Sequence, residues 1–229
     1  MQVAAHSADL VIRFVNTQAA GNGQPELLGD ARAFADWLRR EKLGGEDTVV
    51  TDADAAEARE LREALAVLLL RHVGVETAPE VVAAAERHLR RSAAMHPVNL
   101  LVTADGCDVT SPQTGVAAAI GTLLAAVFRA ESGGLWARLK MCHNPPCHTG
   151  FVDNTRNSGG LYCSSTCRSQ MSMRAYRDRQ RGDLEQAHRP SRSDGHDQAS
   201  GWISPGRLFP HGDSGRQVGD AACRQRADA

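Results

Sequence analysis

The chain has 229 residues, enough for one domain with a real core and a smaller module beside it. Its formal net charge of −1 points to no class of partner, and no apolar run reaches the roughly 18 residues needed to cross a bilayer, which argues against a membrane protein. The charge is unevenly spread: residues 1–135 carry 12 Lys/Arg against 18 Asp/Glu, residues 136–181 carry 8 against 2, and residues 182–229 carry 6 against 7. A basic module therefore follows an acidic one.

Residues 9–17 (DLVIRFVNT), rich in Val, Ile and Phe, are expected to form a β-strand or buried extended segment, broken by Gly21, Asn22, Gly23 and Pro25. Asp30 is placed to cap a helix through Lys42 with Ala31, Phe34, Ala35 and Leu38 on its apolar stripe and Arg39, Arg40 and Lys42 near its C-terminal end. The acidic stretch 52–57 leads into the strongest helical pattern, about 55–73, with Ala58, Leu61, Leu65, Leu68 and Leu69 inward and Gly74 as its stop. Asp52, Asp54 and Glu57 are better read as a capped, solvated helix start than as a metal loop. Thr77 and Glu80 make a capping-box pattern for a helix over 78–93 with Pro79 in its first turn. His72 and His88 fall on these helices and read as surface or satisfied core histidines.

Residues 98–103 read as a strand, Asp105 and Gly106 as a hairpin turn, and 107–110 as the return. The nearly all-apolar 114–131 is expected to be a central helix packed on every side. Gly133 and Gly134 close the domain, and 135–141 (LWARLKM) is expected to be extended.

Four of the six cysteines then follow within 26 residues. Cys142 and Cys147 enclose four residues, and Cys163 and Cys167 enclose three. Two close pairs joined by a loop can place four thiolates around one tetrahedral Zn²⁺. His143, Asn144, Pro145 and Pro146 form a turn with two fixed φ angles that can fold Cys147 towards Cys142. Cys163 and Cys167 are four apart and share a helix face, with Ser164 and Ser165 as capping residues. A turn-borne pair facing a helix-borne pair is the arrangement of a treble-clef-like finger. Four sulfurs complete a closed site with no room for a catalytic water, so the zinc is structural; His143 and His148 are the alternative ligands. Two disulfides would need an oxidising compartment, and MQVAAHSADL has neither the basic start nor the apolar core of a signal peptide, so a reducing cytoplasm is expected.

After the ligands, Arg168, Arg174, Arg177, Arg179 and Arg181 supply a dense guanidinium run with Tyr176 among them, and Met171 and Met173 can pack on the finger or the preceding domain. Guanidinium suits bidentate phosphate contacts and guanine edges. The bland alternative is a solvated helix that pairs with the acidic N-terminal domain. From Gly182 the composition turns to Gly, Ser, Asp, Arg, His, Gln and Pro, and disorder is expected. Cys223 there reads as a free thiol, and Trp202, Ile203, Leu208 and Phe209 as a weak docking candidate.

Residues 142–181 resemble the CGNR zinc finger, and the upstream region resembles the N-terminal domain usually joined to it, described as a "putative stress-induced transcription regulator" domain. The matching stretches are Phe14-Val15-Asn16-Thr17, Arg138-Leu139-Lys140-Met141-Cys142, Asn144-Pro145, Phe151, Asp153, Arg156-Asn157, Tyr162-Cys163-Ser164 and Arg174-Ala175-Tyr176-Arg177. The eponymous Cys-Gly-Asn-Arg is here Cys167-Arg168-Ser169-Gln170, Gly159-Gly160-Leu161 replaces the usual basic residues before the third cysteine, and Arg13 stands where an aspartate is common.

The expected architecture is thus α+β: a mostly helical N-terminal domain with a strand hairpin (8–135, sensor or dimerisation unit), a zinc finger (136–181) and a disordered tail (182–229). The resemblance implies a bacterial, stress-linked DNA-binding transcription regulator, with duplex DNA met by the arginines of the finger helix and by Arg156. The alternative is a protein-interaction adaptor in which the finger docks on an acidic partner. A homodimer is left open, and nothing supports a small-molecule effector. No nucleotide-binding glycine loop, His-Glu metalloprotease pattern, Gly-x-Ser-x-Gly elbow or zinc-deaminase signature is present, so an enzyme is not expected.

Overall fold

Residues 9–15 are helical rather than extended, and Asn16 and Thr17 form the turn that follows. In the computed structural model, which describes residues 2–19, 25–45, 47–145 and 147–187, the first helix α1 (Gln2–Val15) buries Ser7, Ala8, Leu10, Val11, Phe14 and Val15. A strand would send Leu10 and Val11 to opposite faces; a helix gathers both with Phe14 and Val15 on one side. Periodicity overrides the β-propensity of Val, Ile and Phe. Gly21, Asn22, Gly23, Pro146 and everything from 188 onward, including Cys223 and the apolar residues near 202–209, lie outside the described residues.

Helix α2 (Ala31–Arg40) is capped as expected: the Ala33 amide donates to the Asp30 carboxylate at 2.8 Å. Its Trp37 ring lies 5.4 Å from Phe14 and 6.3 Å from Phe34, an aromatic node between α1 and α2. Helix α3 (Asp52–Arg71) starts three residues earlier than its apolar pattern because Thr51 and Asp54 form a reciprocal capping box. Asp52 accepts from the Ala31 amide at 2.9 Å and Glu57 bonds His96 at 2.7 Å, so the acidic stretch is consumed in helix ends and packing.

The capping box expected at Thr77 and Glu80 does not form. Helix α4 (Pro79–Met95) begins one residue later, with Ala78 at the cap and no side-chain cap bond, which puts Glu80 at the second helical position, out of register. Strands β1 (Asn99–Thr103) and β2 (Gly106–Thr110) pair antiparallel with Leu101 opposite Asp108.

Contrary to the expectation that no apolar run reaches membrane-spanning length, helix α5 (Gly115–Ser132) is apolar and long enough by composition to cross a membrane, yet Ile120, Leu123, Ala126 and Ala130 are buried in the core it shares with α1. It is not packed on every side: Phe128 is 54% exposed, and Leu124 and Val127 are only partly covered. A 3-10 turn (Trp136–Arg138) interrupts the lead-in expected to be extended. Strand β3 (Leu139–Met141) follows, paired antiparallel with β4 (Gly150–Val152). Helix α6 (Ser165–Ala187) continues past 181, where the tail was expected to begin.

The fold is α+β, mostly helical at the N-terminal end with a small hairpin. Leu139 and Met141 of β3 are buried in the same cluster as Phe14, Leu61 and Ile120. The ligand-bearing region thus grows directly out of the helical core.

Candidate metal centre

The four cysteine sulfurs converge. Cys142, Cys147, Cys163 and Cys167 place their Sγ atoms within 4.8 Å of one another. The Cys147–Cys163 separation is 3.5 Å and Cys163–Cys167 is 3.8 Å. Zinc–sulfur bonds of about 2.3 Å at tetrahedral angles imply sulfur–sulfur edges of about 3.8 Å, so the donor set fits zinc. All four would hold one structural Zn²⁺, and neither His143 nor His148 joins the group.

Local backbone chemistry produces this convergence. The Cys147 amide donates to the Asn144 carbonyl at 2.9 Å, closing the turn that carries the first pair. The Cys142 amide donates to the Thr149 carbonyl and the His143 amide to the Leu161 carbonyl, tying that turn to both flanking segments. Ser164 caps α6, its hydroxyl accepting from the Cys167 amide at 3.2 Å. Cys167 then sits in the first turn of α6, whereas Cys163 lies just before the cap, so the second pair straddles the helix start rather than sharing a helix face as expected.

Burial, followed by the neighbouring sulfurs, pushes the Cys163 thiol well above its ordinary value, and burial raises Cys142. Cys167 is lowered to about 7, chiefly by the Asn144 amide and also by the Ser164 hydroxyl. A divalent cation favours all four thiolates together, so metal binding displaces protons.

A second buried centre lies beside the sulfurs. Lys140 on β3 and Asp153 just after β4 form an ion pair at 2.7 Å with both side chains nearly sealed from solvent. Lys140 also donates to the carbonyls of Ser158 and Gly160. Asp153 accepts from the Thr155 amide and hydroxyl and from the Gly160 amide, at 2.7–2.9 Å. Burial alone would raise the Asp153 carboxyl; Lys140 and these donors outweigh it and hold it far below the usual carboxylate range. A Cβ at Gly160 would lie 2.6 Å from the Asp153 carboxylate, so glycine is required there. Arg138 donates to the carbonyls of Asp153 and Thr155, both at 2.8 Å. This frame fixes the loop between the cysteine pairs, and with it Arg156.

The finger is clasped to the helices. Asn16 donates to the Gly150 carbonyl at 3.0 Å and accepts from the Gly150 amide at 2.6 Å. A Cβ on Gly150 would come within 2.7 Å of Val15, which explains the small residue. His72 donates from Nδ1 to the Leu139 carbonyl at 2.7 Å and meets Trp136 edge-on at 5.2 Å. It is a satisfied packing histidine. His88 stands against Ser92 and Glu60, so neither histidine belongs to a metal group.

Residues 8–131 match the model of the ABATE family, described as "putative stress-induced transcription regulator". The chain belongs to the ABATE family. Residues 138–180 of this ABATE protein match the CGNR zinc finger. These are a regulator family and a zinc-finger family, not enzyme families. No curated protein matches the chain.

Four of the residues quoted for the resemblance acquire roles that their positions alone do not disclose: Asn16 as clasp, Lys140 and Asp153 as the buried pair, Asn144 as hub. The Asn144 amide donates to Gln170 at 2.8 Å as well as facing Cys167. Gln170 occupies the place of the arginine in Cys-Gly-Asn-Arg, and it is bonded to the finger's own turn. Arg156, Arg168, Arg174, Arg177, Arg179 and Arg181 are all exposed. Met171 is partly covered, whereas Met173 is 55% exposed and does not pack as expected.

Proposed function

We propose that this protein is a zinc-dependent DNA-binding transcription regulator in which the metal anchors α6 and the arginines of α6 meet duplex DNA. The domain plan is residues 8–135 as regulatory unit and 136–181 as DNA-binding finger. One observation carries the reading: among the described residues, no arginine of α6 forms an ion pair with residues 2–135. The acid paired on that helix is Asp178, 3.9 Å from Arg181. Among the described residues the acidic N-terminal part supplies these arginines with no ion-pair partner, which supports this reading over a solvated helix paired with that domain.

Helical spacing sorts the guanidinium groups. Arg174, Arg177 and Arg181 follow at i, i+3 and i+7 and share one face, while Arg168 and Arg179, eleven apart, share the opposite one. A helix with cations on both flanks suits a major groove, where two phosphate walls face it. Arg156, on the loop fixed by Lys140 and Asp153, adds a phosphate contact. Gln170, in the place of the eponymous arginine, is exposed and bonded to Asn144, and the exposed arginines remain available.

The test is a titration of the zinc-loaded protein against duplex DNA across salt concentration. Each phosphate contact contributes roughly 0.9 to the slope of log K against log salt. Arg174→Ala with Arg177→Ala and Arg179→Ala should lower the slope by about two to three and weaken binding at low salt, with zinc content unchanged. An absence of salt-dependent affinity in the zinc-loaded wild type overturns the proposal. Partner-protein capture surviving the triple replacement would instead support the adaptor alternative.

A further inference from the structure

The β1–β2 hairpin is exposed to a degree that a two-stranded element rarely sustains alone. Leu100, Leu101 and Val102 are 64%, 51% and 65% exposed, and Val109 is the residue of the hairpin that is buried. Leu100 and Val102 share a face, and Leu101 points to the other. The stretch 98–103 (VNLLVT) carries no charge, and β1 contains neither lysine nor proline, the residues by which solvent-facing edges are normally blunted.

The two edges of this hairpin differ. The outer side of β2 is covered from α5, because Arg129 binds the Asp108 carboxylate at 2.7 Å and donates to the Val109 carbonyl. β1 pairs with β2 alone among the described residues, so its other edge presents unpaired amides and carbonyls. On the face of the hairpin that carries Leu100 and the buried Val109, Phe128 and Val3, 54% and 63% exposed, lie on the rim of a groove of about 550 Å³ that Leu100 lines together with Cys107 and Asp108 of β2.

We propose that β1 is a homodimer interface: two copies pair β1 to β1, antiparallel, forming a four-stranded sheet in the order β2-β1-β1-β2, with Leu100, Val102 and Phe128 of each copy sharing a core. A second copy is the occupant because the strand is self-complementary. Antiparallel pairing about Leu101, the middle residue of β1, sets uncharged residues opposite uncharged residues and leaves no charge to be matched by another kind of partner. The exposed apolar side chains amount to on the order of 500 Å² per copy, and the paired backbone and groove walls bring this near the roughly 800 Å² per partner of a stable interface. The inference is independent of DNA binding.

Sedimentation of the full zinc-loaded chain decides it. The wild type is expected to have the mass of two chains at tens of micromolar, dissociating on dilution. Leu100→Asp with Val102→Asp should have the mass of one chain, with zinc content and helical circular dichroism unchanged, since both side chains are solvent-exposed. In a Cys107→Ser, Cys223→Ser background, Leu101→Cys should form a disulfide-linked dimer on mild oxidation, because the two sulfurs meet at the symmetry axis. A one-chain wild type, whether its hairpin is bare or covered by another segment or partner, overturns the proposal. So does a double variant that stays dimeric, or an L101C chain that fails to cross-link while dimeric.

Discussion

Residues 2–132 are held by burial of aliphatic and aromatic side chains, whereas residues 136–171 are held by sulfur, one sealed ion pair and captured backbone carbonyls. The helical part places Phe14, Phe34, Leu61, Leu69 and Ile120 completely out of solvent. The finger contributes only Leu139 and Met141 to that cluster and otherwise spends its interior on Lys140, Asn144, Asp153 and the ligands. A segment this short cannot enclose enough apolar area to offset its ordering entropy, so directional bonds and a metal take over. The two regions should therefore fail under different insults.

The largest effect is expected from the metal. Cys163→Ser should abolish zinc retention by metal analysis, because apparent binding energies of four-ligand structural sites are about 10–16 kcal/mol. The signal lost should belong to the finger and α6, with α1–α5 retained by circular dichroism. Equal collapse of both regions would show that the shared strand β3 makes them one cooperative unit.

Phe14→Ala reverses the insult. It should destabilise the helical part by about 3–5 kcal/mol in denaturant unfolding while the purified folded protein keeps stoichiometric zinc.

Asp153→Asn strands the Lys140 ammonium in a sealed site and should cost about 3–5 kcal/mol, read as faster zinc loss to a chelator. The sign with pH follows from the depressed carboxyl. The folded state binds fewer protons than the unfolded chain, so this contribution is complete at neutral pH and drains away below about pH 4. The Asn variant should lack that acid-side slope. Thiol protonation releases metal at higher pH, so the comparison belongs on the pH dependence of the difference between the two proteins.

The smallest effect tests the seam. Asn16→Ala removes two hydrogen bonds to Gly150 and should cost about 1–3 kcal/mol, seen as faster amide exchange in β4 with zinc content unchanged.

The metal centre was legible in the sequence because its ligands come as two local pairs, each closed by its own turn or helix start. Helices α2, α3 and α5 were legible through their apolar period. The first helix was not: its run of Val, Ile and Phe satisfies strand propensity, and the tertiary fact that decides it is the shared face of Leu10, Val11, Phe14 and Val15 against α5. Asn16, Lys140 and Asp153 were quoted as matching residues without a role, because their partners lie 134 and 13 residues away in sequence and no period links them. The cap at Thr77 misled because Pro79 moved the helix start by one residue.

Helix α6 has 23 residues, about 34 Å of rise, and among its described side chains those that meet the finger or are partly covered lie in the first two turns, at Cys167, Gln170 and Met171. Beyond them it is a cantilever. Most helical stability in proteins comes from tertiary packing rather than propensity, so the overhang is a place where straightness must be supplied from outside. Whatever surface grips the arginines of residues 174–181 straightens the beam and loads the zinc anchor at its root.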